Sequence, residues 1–174
     1  MEKGCVHVYT GNGKGKTTAM FGLALRAYGA GLKIYIGQFI KNGEYSEVKA
    51  IRKYLPNIDF EQYGYGTGFI FDGDVTDNDI NFAKNGLHRA GEAISSGKYD
   101  VVMLDEINAA IHYGLIGVKE VVDLIARKPY GVELILTGRY AADEIMDASD
   151  LISEINEVKH YYAKGITARD GIEK

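Results

Sequence analysis

Apolar and polar positions along this 174-residue chain fall into two recurring patterns. Short apolar runs bounded by glycine or polar residues predict strands. Longer stretches with apolar residues at i, i+3, i+4 and i+7 predict helices. Val6, Val8 and Tyr9 read as a buried strand, and Met20, Leu23, Ala24 and Ala27 recur at helical spacing just after it. Gly29 and Gly31 provide a helix stop. Residues 33–39 predict a second buried strand, 46–55 a short amphipathic helix ended by Pro56, and 58–60 a third, short strand. An acidic turn over 72–79, with Asp77 or Asn78 as N-cap, leads into a long helix. That helix carries Ile80, Ala83, Leu87, Ala90 and Ile94 on one face, is weakened at Gly86 and Gly91, and stops at Gly97. His88 lies off the face and reads as solvated. The run Val101 to Leu104 suits a strand buried on both sides. One or two helical turns follow over 107–113. Val118, Val121, Val122 and Ile125 mark another helix, closed by Arg127, Lys128 and Pro129. A strand over 132–137, a short helix over 141–148 and a last strand of mixed polarity over 151–158 precede a polar tail, 159–174. Strands and helices alternate, so the expected fold is α/β. It is a P-loop NTPase-like three-layer sandwich around a mostly parallel sheet of about six strands, with residues 1–174 as one domain.

Candidate chemistry concentrates in Thr10–Thr18, TGNGKGKTT, between the first strand and the first helix. Gly11, Gly13 and Gly15 let successive backbone N–H groups converge on phosphate oxygens, and the helix N-terminus adds its own donors. Lys16 supplies a mobile point charge, and the Thr17 hydroxyl is placed to ligate Mg²⁺. Thr10, Asn12, Lys14 and Thr18 complete the loop. The strict phosphate-loop pattern has glycine five residues before Gly15. Here that position is Thr10, so a tighter loop is expected.

The other candidates fall where strands end, at the carboxyl edge where open α/β sheets bind ligands. Asp105 and Glu106 close the apolar run of the fourth strand and can hold Mg²⁺ directly or through water. Lys41 follows the second strand and Arg139 follows the strand over 132–137. Both suit anion recognition, though a solvated lysine and a surface ion pair explain them about as well. The segment 63–71, YGYGTGFIF, alternates glycine with aromatics and reads either as core packing or as an aromatic lid over a large flat ligand.

Composition narrows the classes. The net charge of −4 gives no general attraction to nucleic acid. No apolar run approaches a membrane span, and the chain enters its first strand almost at once, leaving no room for a signal peptide. The lone Cys5 reads as a buried core thiol. These points favour the cytoplasm. The residues alone leave three readings open: a phosphotransferase or ATPase with Glu106 positioning a water or hydroxyl, transfer of another part of ATP with the loop stabilising departing polyphosphate, and a nucleotide-dependent switch.

The wording of the motifs resembles the corrinoid adenosyltransferases of the CobA/BtuR type. TGNGKGKTTAMFG (10–22), RAYGAG (26–31), GQFIK (37–41), GTGF (66–69), VVMLDEINAAI (101–111), LTGR (136–139) and VKHYYAKGITARDGIE (158–173) run in family order over nearly the whole chain. The resemblance implies an ATP:cob(I)alamin adenosyltransferase, in which Co(I) of a reduced corrinoid attacks the 5′ carbon of ATP and expels triphosphate. It implies ATP and a corrinoid as substrates, with Lys16, Thr17 and Glu106 as the catalytic set. Thr17, Asp105 and Glu106 would lie at Mg²⁺, and Thr10–Thr18 with Arg139 at ATP. It also implies ATP bound in the reverse sense to most P-loop enzymes. Phe69 and Phe71 would form an apolar wall at the corrinoid, with Lys41 beside it, and Phe71 stands where relatives carry Trp. The chain begins without the N-terminal extension of some relatives, so a more open site is expected. A homodimer fed by an electron-donating reductase, flavodoxin-like or flavin-dependent, completes the expectation.

Overall fold

A computed structural model describes residues 2–65 and 75–173. Among the described residues, six strands form one sheet: β1 (Val6–Thr10), β2 (Ile34–Phe39), β3 (Ile58–Tyr63), β4 (Val101–Asp105), β5 (Glu133–Thr137) and β6 (Leu151–Glu154). Their order is β3-β2-β4-β5-β1-β6, and every pairing is parallel. The helices are α1 (Lys16–Gly29), α2 (Ser46–Tyr54), α3 (Asp77–Ser95), α4 (Ile107–His112), α5 (Val118–Ala126) and α6 (Asp143–Asp147).

Period-two alternation along the strands divides the core into two layers. Ile34, Ile36, Val101, Met103 and Ile135 pack under Met20, Ala24 and Ala27 of α1 and Ile51 of α2. Tyr35, Phe39, Val102, Leu104, Leu134 and Leu136 pack on the opposite face against Ala83, Ala90 and Ile94 of α3 and Val121, Leu124 and Ile125 of α5. The all-parallel sheet with helices on both faces is the three-layer sandwich expected.

Several boundaries shift for identifiable reasons. β3 extends to Tyr63 rather than ending at 60, paired with β2 up to Phe39↔Tyr63. It is an edge strand, and Glu61 and Gln62 sit half-buried within it, bonded to Arg89 and Gln38. β6 ends at Glu154 instead of 158. There the chain turns to the loop after β1, with Ile155 N–H donating to the Thr10 carbonyl at 2.9 Å and the Ile155 carbonyl accepting from Gly13 N–H at 2.7 Å. The N-cap of α3 is Thr76, not Asp77 or Asn78. Its hydroxyl accepts from Asp79 N–H while the Asp79 carboxylate accepts from Thr76 N–H, a reciprocal capping box. Gly86 has a packing reason: a Cβ there would lie 2.5 Å from the Tyr63 ring. Cys5 is half-buried just before β1, not a core thiol, and its N–H donates to Glu133. His88 is exposed, as expected. No helix among the described residues is long and apolar enough to cross a membrane.

Candidate active site

The loop between β1 and α1 is gripped from outside. A Cβ on Gly11, whose φ is +95°, would lie 2.4 Å from the Ile155 carbonyl oxygen, and one on Gly13 would lie 2.8 Å from it. These glycines therefore permit the close approach of 155–156. Thr10 is buried, and its hydroxyl accepts from Ala141 N–H at 3.3 Å. Lys16 is 7% exposed and folds back to donate to the carbonyls of Gly11, at 2.6 Å, and Gly13, at 2.8 Å. Burial lowers its pKa; Glu106 opposes this, while Arg139 and Lys41 add to it. Gly15 and Thr17 are half-buried, and Asn12, Lys14 and Thr18 are exposed. Lys14 reaches the C-terminal tail, donating to the Ile172 carbonyl at 2.9 Å.

Across from the loop, Asp105 at the end of β4 is fully buried and accepts four hydrogen bonds. They come from Thr17 Oγ1 at 2.9 Å, Thr137 Oγ1 at 2.6 Å, Gln38 Nε2 at 2.9 Å and Lys41 Nζ at 3.2 Å. Burial alone pushes the Asp105 pKa up. The Lys41 charge and the hydroxyl and amide donors outweigh it, so Asp105 titrates below the ordinary aspartate value. Its neighbour Glu106 is pushed the other way, by burial and by the Asp105 charge. Lys41 lies 3.5 Å from Glu106 Oε1 and 3.4 Å from Thr17 Oγ1. Burial works against its charge, but the two carboxylates prevail and raise its pKa.

Among the described residues, three non-glycine positions adopt positive φ: Ile40 (+66°), Glu106 (+60°) and Tyr140 (+60°). Each lies just past a strand at the carboxyl edge, after β2, β4 and β5. Such backbone is costly and persists where the surroundings demand it. Among the described residues, these costly non-glycine turns thus collect around one place.

The structure therefore brings Thr10–Thr18, Asp105, Glu106 and Lys41 together, and sets Arg139 at the same edge with its side chain exposed. Phe69 and Phe71 lie outside the described residues. Gln38 and Thr137 escaped the sequence reading as site residues. Their signal was a lone polar residue at or near the end of an apolar strand. Gln62 was missed too; it donates to Gln38 Oε1 at 2.9 Å and so turns the Gln38 amide N–H toward Asp105. The Tyr140 ring, stacked on His112 with centroids 4.1 Å apart, had no sequence signal at all. Asn108 is fully buried, with neither end of its amide partnered among the described residues.

An all-parallel sandwich with a glycine-rich strand–helix loop facing an acidic strand end defines a P-loop-like α/β protein. Within that class, the chain belongs to the ATP:corrinoid adenosyltransferase family BtuR/CobO/CobP, whose sequence model matches residues 2–173. It is 36% identical to a corrinoid adenosyltransferase of Sinorhizobium sp, over 99% of this chain and 81% of the relative. The corrinoid adenosyltransferase of Escherichia coli K12 is 35% identical, over 99% of this chain and 86% of its own. Corrinoid adenosyltransferase CobA of Salmonella typhimurium is 34% identical with the same coverage.

Proposed function

We propose that this chain transfers the 5′-deoxyadenosyl group of ATP to Co(I) of a reduced corrinoid. The cobalt electron pair forms a Co–C bond to the 5′ carbon. The C5′–O bond breaks, and its electrons leave with triphosphate. Cobalt is the nucleophile, so no protein base is required, and the burden on the protein is to stabilise a departing polyanion. The observation that carries this reading is the convergence of the Lys16 ammonium, the loop amides and the buried Asp105 cluster at one sheet edge. A phosphotransferase or ATPase, by contrast, needs a residue to position a water or hydroxyl.

In this reading Gly11–Thr18 amides and Lys16 hold the triphosphate, and Lys16 leaves its loop carbonyls to do so. Arg139, exposed at the same edge, adds a second cation. Thr17, Asp105 and Glu106 form an all-oxygen donor set that fits Mg²⁺. With only two carboxylates and a hydroxyl, phosphate and water oxygens must complete an octahedral shell. That the place suits a cation is supported by the Lys41 ammonium lying among these oxygens. Bound there, Mg²⁺ supplies charge neutralisation of the leaving triphosphate. Gln38 and Thr137 hold Asp105 in place. Phe69 and Phe71 retain the apolar-wall role at the corrinoid, on the resemblance alone. Residues 1–174 are taken as one catalytic domain, acting in the cytoplasm as a homodimer with a reductase supplying the electron.

The test is product analysis after anaerobic incubation with Mg-ATP and chemically reduced cob(I)alamin. A light-sensitive adenosylcorrinoid together with triphosphate is the expected outcome. ADP and phosphate, with the corrinoid unchanged, would return the chain to the ATPase or phosphotransferase class.

A further inference from the structure

Lys41 owes its position to a costly turn. Ile40 takes φ +66°, a conformation that β-branched residues rarely adopt, and Lys41 N–H donates to the Phe39 carbonyl at 2.6 Å. From this turn the Lys41 side chain, 18% exposed, reaches between α1 and β4. Its ammonium lies 3.2 Å from Asp105 Oδ2, 3.4 Å from Thr17 Oγ1 and 3.5 Å from Glu106 Oε1. These are the oxygens a divalent cation would use. Lys16, which is buried, donates to loop carbonyls and leaves this cluster to Lys41.

We propose that Lys41 is a resident counter-ion that keeps this cation seat closed until a nucleotide arrives. The seat rests on the three distances; the identity of the nucleotide rests on the adenosyl-transfer reading. Two adjacent carboxylates, one buried and one half-buried, are costly without a cation, and Lys41 offsets part of that cost in the nucleotide-free protein. A free divalent cation entering alone must evict the ammonium and leave it without an anionic partner. A cation entering with a polyphosphate brings the replacement partner, because phosphate oxygens can take up the displaced ammonium. Cation and nucleotide binding therefore favour one another, and Lys41 is the positioning residue that couples them. An ordinary structural ion pair predicts no such coupling.

The test is Mn²⁺ titration followed by electron paramagnetic resonance, on nucleotide-free wild type, Lys41→Met and Lys41→Arg. The wild type should bind Mn²⁺ weakly until ATP is added. Lys41→Met should bind it about 10-fold or more tightly without ATP, within the usual range of coupling between sites. Lys41→Arg, which keeps the charge, should behave like wild type. Equal Mn²⁺ affinity in wild type and Lys41→Met would overturn the proposal, as would tight binding by wild type without nucleotide. Thermal unfolding gives a second readout should Lys41→Met fold poorly. Mn²⁺ alone should raise its midpoint and leave that of wild type unmoved; no rise in the variant sinks the idea. Absence of adenosyl transfer alongside an intact Mn²⁺ contrast would remove the reaction and keep the seat. Transfer without the contrast would remove the seat alone.

Discussion

At the amino edge of the sheet, Lys98 bonds Asp59 and Tyr99, and Lys33 N–H donates to Asp100. At the carboxyl edge, Lys16, Lys41, Asp105 and Glu106 crowd the loop after β1. The same strands run through both edges, yet the ion pairs differ in kind. Lys98 and Asp59 are 61% and 43% exposed, whereas Lys41 and Asp105 are 18% and 0% exposed. The amino edge also has a cavity of about 500 Å³ lined by Tyr28, Lys33, Pro56, Asp59, Lys98 and Tyr99. What separates the edges is charge held out of water, and three left-handed residues maintained at a cost. Charges solvated at both ends of their pairing contribute little, while a buried charge left without its partner is costly.

The contrast breaks most visibly at Lys16. Lys16→Ala should lower adenosyl transfer by about 10²–10³-fold, the scale for removing one group that stabilises developing negative charge. Its measurement is the rate of adenosylcorrinoid formation at saturating Mg-ATP. A rate within a few-fold of wild type would deny Lys16 any role at the leaving group.

Asp105→Asn comes next. It removes one of the two carboxylates nearest Lys41 and places an amide among four donors, at a cost of about 3–5 kcal/mol at neutral pH. The native pKa of Asp105 lies below its ordinary 3.8. Its contribution is thus fully present above that value and is lost as pH falls through the native pKa. Urea unfolding should show the wild-type advantage at pH 7 shrinking in acid. A gap that widens toward low pH would reverse the sign.

The parts of this site legible from sequence were those encoded locally. The glycine spacing of Gly11, Gly13 and Gly15, flanked by a strand and a helix, identified the loop. Four apolar residues followed by two acids placed Asp105 and Glu106 at a strand end. What the sequence could not show is pairing across distance. Thr137 meets Asp105 from 32 positions away, and Lys14 meets Ile172 from 158. Edge strands blur for a related reason: β3 has one sheet neighbour, so Glu61 and Gln62 interrupt its apolar pattern without harm. The cap of α3 was legible in principle. Thr76 and Asp79 have capping-box spacing, but two other good caps lie between them.

Glu106→Gln sharpens the comparison by running opposite to Asp105→Asn. The Glu106 pKa is raised, so the native state holds this proton more tightly than the unfolded chain does. Its contribution to stability therefore falls as pH rises from its ordinary 4.5 through the native pKa. Without nucleotide, Glu106→Gln should be more stable than wild type at pH 7 and no different below pH 4.5. On the proposed role of Glu106 at Mg²⁺, it should nonetheless transfer adenosyl more slowly. Stability gained together with activity lost is the signature of a residue retained for its ligand. Lower stability at pH 7 would instead make Glu106 a structural partner of Lys41.

The smallest effect is expected at the other edge, and it guards against reading every charge as functional. Lys98→Met removes the ammonium that lowers the Asp59 pKa through a hydrogen bond and its charge. By sign this pair resembles Lys41 and Asp105: a depressed carboxylate whose contribution is lost in acid. By burial it does not, since water screens both partners. Transfer rate and Mg-ATP affinity should match wild type, and any change in urea midpoint should disappear in 0.5 M salt, a concentration at which the Debye length is only about 4 Å. Should Lys98→Met slow transfer, the two ends of the sheet would be coupled through β3 and β4. The strand ends could then no longer be treated as chemically separate.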